Sequence, residues 1–331
     1  MAGTKSRTVL ITGISGQDGS YLCERLVERG ERVVGLVARA QDRLPPYLEE
    51  YLGALPGREA VRLVSGDVTE AALFGALLSD VKPDWVFHLA AVSSVAQSFS
   101  APLLAAEVNG VATMRLLEAV RLVAPEARVF LAISGEVFGP RTTPADETCD
   151  FSPGNPYAAS KAFAYWSGVN FRESYDLFIC NGIFFNHESP RRPPGFVTRK
   201  VVRGAVEIAA GKRQRLALGN LEPVRDWGYA PEYMDAAVRM LEADRPGDYV
   251  IATGEGHSVR ELVSAVFEAV GLDYTRCVEE GAESLRPSDL AWMVGNPAKI
   301  ERELGWKAET RFNRLVEILV QAELAAGGAA A

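Results

Sequence analysis

The chain's 331 residues are 48% hydrophobic and 24% charged, enough apolar material for one or two cores and too little polarity for a disordered protein. A net charge of −8 argues against a nucleic-acid surface, which needs a concentrated basic patch. Cys23, Cys149, Cys180 and Cys277 lack C-x-x-C spacing, and His88, His187 and His257 form no i,i+4 pair, so neither a disulfide framework nor a metal centre is expected.

Met1 to Arg7 carries basic residues but no apolar run, and no apolar stretch in the chain reaches the roughly 18 residues of a membrane span, so a cytoplasmic protein without membrane contact is expected. Thr8 to Thr12 is strand-like, and Gly19 to Glu28 is helical, with Leu22 and Leu26 on one face and Gly30 placed to end it. Val33 to Val37, Val61 to Val64, Trp85 to Leu89 and Val129 to Ile133 read as the next four strands, with a long amphipathic helix from Leu104 to Val123 between the last two. A sixth strand, Leu177 to Phe184, follows a helix starting near Tyr157. Such alternation is the mark of parallel βαβ units. After Phe185 the pattern breaks at Pro190, Pro193 and Pro194, and helical runs at Glu232 to Leu241, Val259 to Val270 and Leu315 to Leu324 point to a mixed second lobe. Ala325 to Ala331 is low-complexity and expected to fray.

Gly13-Ile14-Ser15-Gly16-Gln17-Asp18-Gly19 follows the first strand and opens the first helix. Backbone there can turn tightly and approach a pyrophosphate at the helix N-terminus, so Gly13, Gly16, Gln17, Asp18 and Gly19 are expected to bind a dinucleotide. Chains that prefer NAD usually place an acidic side chain at the end of the second strand; here stand Ala38, Arg39 and, later, Arg43. A guanidinium suits a 2′-phosphate, which favours NADP, although Arg39 also reads as an ordinary solvated cation. Asp67 is placed either to accept from the adenine amino group or to cap a helix beginning near Glu70.

Tyr157 and Lys161, at i,i+4 after Asn155-Pro156, share one helix face. A phenol with a pKa of about 10 is a poor base, but a lysine ammonium and a nicotinamide cation beside it would stabilise the phenolate. Tyr157 could then accept a proton from a sugar hydroxyl as hydride leaves its carbon. Ser134 and Glu136 sit at the carboxyl end of the fifth strand, where doubly wound sheets bind ligands. Ser134 is placed to hydrogen-bond the oxygen that becomes a ketone. Glu136 says most about the reaction, because hydride transfer alone needs no second acid/base group, whereas elimination of water needs a base for the proton next to the new carbonyl.

The segment Gly13 to Leu22 resembles the opening of the GDP-mannose 4,6-dehydratases, members of the extended short-chain dehydrogenase/reductases. Val169 to Glu173, Asn186-His187-Glu188-Ser189-Pro190-Arg191-Arg192, Phe196 to Lys200, Leu218 to Leu221, Arg225 to Gly228, Ile251 to Glu255 and His257 to Glu261 extend the likeness over about residues 8 to 307. The resemblance implies tightly held NADP, oxidation at C4, loss of water across C5 and C6, and return of the same hydride to C6. It places Ser134 at the family's threonine, Glu136 at its glutamate, and Tyr157 and Lys161 at its tyrosine and lysine. It also implies GDP contacts at Asn186, Val197, Lys200, Arg225 and Arg286, with Asp289 where the family has glutamate, and a sugar pocket lined by residues 92–97, Ser93 among them. The Arg191-Arg192 loop resembles one that reaches a neighbouring subunit's cofactor, implying a homo-oligomer, dimer or tetramer. Gly135 and Phe138 depart from the family's serine and tyrosine, and Gly135 is expected to loosen the loop that carries Glu136.

The expected architecture is α/β: a Rossmann-type doubly wound parallel sheet with a smaller mixed α/β substrate-binding lobe. Residues 1–185 form the NADP-binding domain, rejoined by part of 226–256, and 186–331 mainly the nucleotide-sugar-binding domain. Two other readings share the Rossmann half: an NADP-dependent 4-keto-sugar reductase or epimerase, and a noncatalytic NADP-sensing protein. A reductase would consume NADPH stoichiometrically, and a sensor would have a broken catalytic set.

Overall fold

The computed structural model describes residues 6–38, 49, 53, 55–281 and 290–328. Seven parallel strands form the main sheet: β1 (Thr8–Thr12), β2 (Arg32–Ala38), β3 (Val61–Gly66), β4 (Trp85–His88), β5 (Arg128–Ser134), β6 (Ile179–Phe184) and, from further along the chain, β11 (Asp248–Ile251). Their spatial order is β3-β2-β1-β4-β5-β6-β11, so the chain winds one way from β1 to β3 and the other way from β4 onward. The reversal opens a crevice beyond the carboxyl ends of β1 and β4, the place where open α/β sheets take ligands. All six residues of β6 and the last four of β1 are buried, as expected of strands covered on both faces.

Helices α1 (Gln17–Glu28), α2 (Leu73–Val81), α3 (Val95–Ser100), α4 (Pro102–Ala105), α5 (Ala112–Val123) and α6 (Pro156–Tyr175) belong to this half. One apolar layer joins Leu22 and Leu26 to Tyr233, Met240 and Trp306; the opposite layer joins Phe74, Leu116 and Phe171. A third cluster, including Val201, Leu216, Phe267 and Leu315, forms the interior of the second lobe. That lobe carries α7 (Val197–Ala209), α9 (Val259–Ala269) and α11 (Phe312–Gly328), with α8 (Ala230–Glu242) and α10 (Ala298–Leu304) packed back on the sheet side. Each fully buried Leu or Phe contributes about 1.5–3 kcal/mol, whereas an exposed ion pair contributes about 0–1, so these layers rather than surface pairs hold the fold.

The short strands of the second lobe are β7 (Asn186–Glu188) beside β10 (Trp227–Tyr229), β8 (Leu216–Leu218) beside β13 (Val278–Glu280), and β9 (Val224–Arg225) between β12 (His257–Ser258) and β14 (Trp292–Met293). Edge strand β11 is fastened by Asp248, which accepts from Arg172 through both oxygens at 2.8 Å and from Asn181 Nδ2 at 2.8 Å.

The single long helix expected from Leu104 to Val123 is instead α4, a π-helical turn (Ala106–Val111) and α5. Buried Asn109 within that turn accepts from Val92 N at 2.8 Å and donates to Val92 O at 3.1 Å and to Ser160 Oγ at 3.0 Å. Its side chain thus binds the loop after β4 to α6, and the widened turn stands beside the site, where π turns often occur. Among the described residues no helix is long and apolar enough to cross a membrane, and no group of three or more His, Cys, Asp or Glu is placed to hold a metal ion.

Candidate active site

The glycine turn between β1 and α1 is shaped by what a side chain would strike. Gly13 has φ +74°, and a Cβ on it would lie 2.8 Å from Ala90 N; one on Gly19 would lie 2.3 Å from Gly13 O. Gly16 is the N-cap of α1 and supplies no side chain to cap it, so the helix's first amides are not taken up by a capping side chain. Such a bare backbone cradle fits a dinucleotide diphosphate. Gln17 is buried and turns inward: Nε2 donates to Asp18 Oδ1 at 3.0 Å and to His187 O at 3.1 Å, and Oε1 accepts from Ser189 Oγ at 2.8 Å. Asp18 Oδ2 lies 2.9 Å from His187 Nε2. The turn and the 185–189 segment are therefore one hydrogen-bonded unit.

Across the crevice, Asn155 caps α6 by accepting from Ala158 N at 2.8 Å, and Pro156 sets the first turn. This aims Tyr157 and Lys161 at the end of β5. Burial pushes the Tyr157 phenol up to about 12, with the Ser134 hydroxyl beside it opposing the rise and the Glu136 and Asp18 charges adding to it. Lys161 Nζ donates to Ala132 O at 2.7 Å, and burial brings the ammonium down to about 8 against the pull of Asp18. His88, at the end of β4, is kept neutral: burial and the nearby Lys161 charge lower it to about 3, and its Nδ1 lies 2.8 Å from Thr12 Oγ1.

Glu136 sits in a short 3-10 turn (Gly135–Phe138) whose start is capped by Ser134, the Glu136 N–H donating to Ser134 Oγ at 3.3 Å. Asn155 Nδ2 donates to its carboxylate at 3.0 Å. The same asparagine thus starts the helix of Tyr157 and holds Glu136. Gly135 does not loosen this turn: it is buried, and a Cβ there would meet the Phe185 ring at 3.0 Å. Phe138 is likewise core, packed edge-on to Phe151 at 5.3 Å and stacked with Phe185 at 6.3 Å.

Ser134, Glu136, Tyr157 and Lys161 come together with the glycine turn at the crevice mouth. Ser93 is exposed on the loop after β4. Asn186 opens β7, and its Oδ1 is buried without a hydrogen-bond partner among the described residues. Val197 and Lys200 stand half-buried on the first turn of α7. Arg225 is 8% exposed and donates to Val224 O at 2.8 Å and Leu290 O at 2.6 Å. Asp67 is exposed and closes a local turn, accepting from Thr69 N at 2.9 Å and Thr69 Oγ1 at 2.7 Å; α2 begins only at Leu73, so Asp67 is not its cap. Arg39, Arg43, Arg286 and Asp289 lie outside the described residues.

Two further residues frame the site. Asn155 is signalled by the Asn-Pro pair, a helix-start signature. Asp226 has no such signal: fully buried, it accepts from Thr253 N at 2.9 Å, Thr253 Oγ1 at 2.7 Å and Gly254 N at 3.0 Å, joining the end of β11 to the strand pair around Arg225.

Sheet order, glycine turn and the serine, tyrosine and lysine at the crevice define a short-chain dehydrogenase/reductase. The UDP-glucose 4-epimerase of Thermus thermophilus, solved with NAD, has the same fold, with a TM-score of 0.82 at 28% identity, covering 96% of this chain and 98% of that one. The chain belongs to the GDP-mannose 4,6-dehydratase family: a family model of that description matches residues 10–319. GDP-mannose 4,6 dehydratase 1 of Arabidopsis thaliana is 42% identical over 324 residues, covering 96% of this chain and 90% of that protein. The GDP-mannose 4,6 dehydratase of Homo sapiens is 39% identical over 346 residues, covering 97% and 92%.

Proposed function

We propose that this chain is a hydro-lyase that converts GDP-mannose to GDP-4-keto-6-deoxymannose. The observation that carries the reading is the Glu136 carboxylate held by Asn155 next to the Tyr157–Ser134 pair. A bound nicotinamide dinucleotide supplies the hydride acceptor at the first stage and the donor at the last. Tyr157 takes the C4 hydroxyl proton while Ser134 hydrogen-bonds that oxygen, and Lys161 supplies positive charge for the phenolate. With the C4 ketone formed, Glu136 removes the acidified C5 proton and passes it to the C6 hydroxyl, which leaves as water. The proton that Tyr157 took from the C4 hydroxyl then goes to C5, and with the hydride that the bound dinucleotide would return to C6 no cofactor would be consumed. Ser134, Glu136, Tyr157 and Lys161 are thus assigned the catalytic roles, and Gly13, Gly16, Gln17, Asp18, Gly19, Arg39 and Asp67 the cofactor site.

NADP is the proposed form, because β2 ends at Ala38 and leaves no carboxylate there to meet the ribose hydroxyls, and Arg39 follows it in sequence. Asn186, Val197, Lys200, Arg225, Arg286 and Asp289 are assigned to GDP, and Ser93 to the sugar; the unpartnered Asn186 Oδ1 supports its part in this. Purified protein mixed with GDP-mannose and no added cofactor is expected to yield a product lighter by one water. An unchanged sugar nucleotide, with the protein folded and dinucleotide bound, would refute the activity.

A homo-oligomer is also proposed. Helices α4 and α6 present Leu103 at 84% exposure and Trp166 at 59%, with Leu104 and Phe163 also exposed, an apolar face that a monomer would leave in water. Sedimentation should show wild-type dimers or tetramers and a shift to monomer in Trp166→Glu; a monomeric wild type would contradict the assignment.

A further inference from the structure

A carboxylate in the first turn of a helix whose N-terminus receives a diphosphate is an electrostatic conflict, since both are anions at one end of the same dipole. Asp18 occupies that place. What resolves the conflict is its partner. His187 Nδ1 lies 2.8 Å from the Phe185 carbonyl oxygen, and Nε2 lies 2.9 Å from Asp18 Oδ2. A carbonyl oxygen only accepts, and an ionised carboxylate only accepts, so both ring nitrogens must carry protons for both contacts to be hydrogen bonds. Burial raises the Asp18 carboxyl, but the His187 charge and the hydrogen bonds from His187 and from Gln17 Nε2, the latter at 3.0 Å, bring it below its usual value and so hold it as the anion. Gln17 is fixed in that orientation by Ser189 Oγ donating to its Oε1 at 2.8 Å.

We infer that Asp18 and His187 form a carboxylate–imidazolium pair at neutral pH that cancels a negative charge inside the diphosphate cradle, making His187 a positioning residue for the dinucleotide. The inference rests on the proposed reading of the 13–19 turn as a dinucleotide site. The pair also bridges two parts of the chain 169 residues apart, since it holds β7 against α1. A buried pair of this kind gains from mutual attraction only if each remaining hydrogen-bonding position is satisfied, and here Gln17 and the Phe185 carbonyl satisfy them.

The groups packed around His187 set its behaviour with pH. Burial pulls the ring down, but the Asp18 charge and hydrogen bond and the Phe185 carbonyl together raise it above the ordinary histidine range, while Arg192 from the following loop opposes them. From α8 the Tyr233 ring stacks on it at 4.8 Å and 24°, and Phe184 packs at 5.0 Å; the Tyr233 phenol, raised well above its usual value by burial, stays neutral. Lys161 and Tyr157 of α6 feel Asp18 as well. Because the folded value lies above the unfolded one, the pair is complete below the ordinary histidine pKa and is lost as pH rises through the raised value. Beyond that point a bare Asp18 anion faces the diphosphate, and dinucleotide affinity falls.

The test uses the whole protein stripped of dinucleotide. With only three histidines, ¹⁵N-histidine NMR can follow His187 individually, its signal identified by loss in His187→Gln. His187 is expected to show two protonated nitrogens at pH 7 while His88 shows one; a neutral His187 ring would overturn the inference. In calorimetric titrations with NADP⁺ at pH 7, His187→Gln, which strands Asp18 as an unpaired anion, is expected to weaken binding about tenfold or more. Asp18→Asn with His187→Gln, which removes both charges, should recover most of that loss; a double variant no better than His187→Gln would mean a merely structural role and overturn the proposal. Asp18→Asn alone should flatten the wild type's alkaline decline in affinity, and an unchanged decline would assign it to Lys161 and count against the pair. A wild type that binds neither NADP⁺ nor NAD⁺, with an intact imidazolium signal, would instead sink the cofactor reading on which the inference rests.

Discussion

Glu136→Gln is expected to lower turnover of GDP-mannose by ~10²–10⁴, the usual contribution of a positioned acid/base group. The loss should fall on one stage. Glutamine keeps the size of the side chain and can still hydrogen-bond Asn155, but it cannot take the C5 proton. Oxidation at C4 is assigned to Tyr157, Ser134 and Lys161, which the variant retains. Mixing the variant with GDP-mannose in a single turnover should therefore produce the absorbance of a reduced nicotinamide, which persists because no alkene forms at C5 and C6 to take the hydride back. Dehydration at the parental rate would remove Glu136 from the role of C5 base.

Tyr157→Phe is expected to lose turnover by a similar ~10²–10⁴, but earlier in the sequence. Without the phenol no group accepts the C4 hydroxyl proton, so the absorbance of reduced nicotinamide should not appear at all. The two variants thus divide the reaction: one stalls after hydride transfer, the other before it. A Tyr157→Phe protein that still accumulated reduced cofactor would show that another group takes the C4 proton. In the wild type, burial brings Lys161 to about 8, below the ordinary lysine value of about 10.4, so turnover should decline as pH rises through about 8 and the ammonium is lost. Stability runs the other way. Between the folded and unfolded values the unfolded chain binds more protons, so the cost of burying Lys161 diminishes as pH rises across that interval.

Much of the sheet is legible because its strands announce themselves locally. Thr8–Thr12 matches the strand expected there, and the next five strands lie within two residues of the expected bounds. β11 is harder, since its four residues, Asp248–Ile251, carry neither length nor alternation; it is a strand because β6 offers an edge and Arg172 and Asn181 bind Asp248. Nor does periodicity announce the π turn at Ala106–Val111, whose buried residues are Asn109 and Gly110 and which follows Asn109 being drawn toward Val92, a partner distant in sequence.

That the four side chains proposed for catalysis come together is readable from spacing and element position: Tyr157 and Lys161 at i,i+4 on a helix, Ser134 and Glu136 at a strand end. What sequence alone leaves out are contacts between distant parts of the chain. Gln17 reads as a phosphate-turn residue, and its side-chain amide also joins Asp18, His187 and Ser189, which the sequence does not show. Arg225 reads as a cation for a diphosphate, and its Nη1 is also tied to the Val224 and Leu290 carbonyls, which no local pattern shows. Gly135 reads as a source of slack, yet it gives the Phe185 ring its room. In each case the deciding partner lies across the fold, where composition and period carry no information.

The most direct test of an internal hydride route through Glu136-dependent elimination follows a label. GDP-mannose carrying deuterium at C4, incubated with the enzyme and no added dinucleotide, is expected to give a 4-keto product with that deuterium at C6, and the same reaction of unlabelled substrate in D₂O to give deuterium at C5. Deuterium that stays at C4, or that passes into added NADP⁺ with stoichiometric consumption, would contradict the dehydratase account and leave an ordinary oxidoreductase or epimerase in its place.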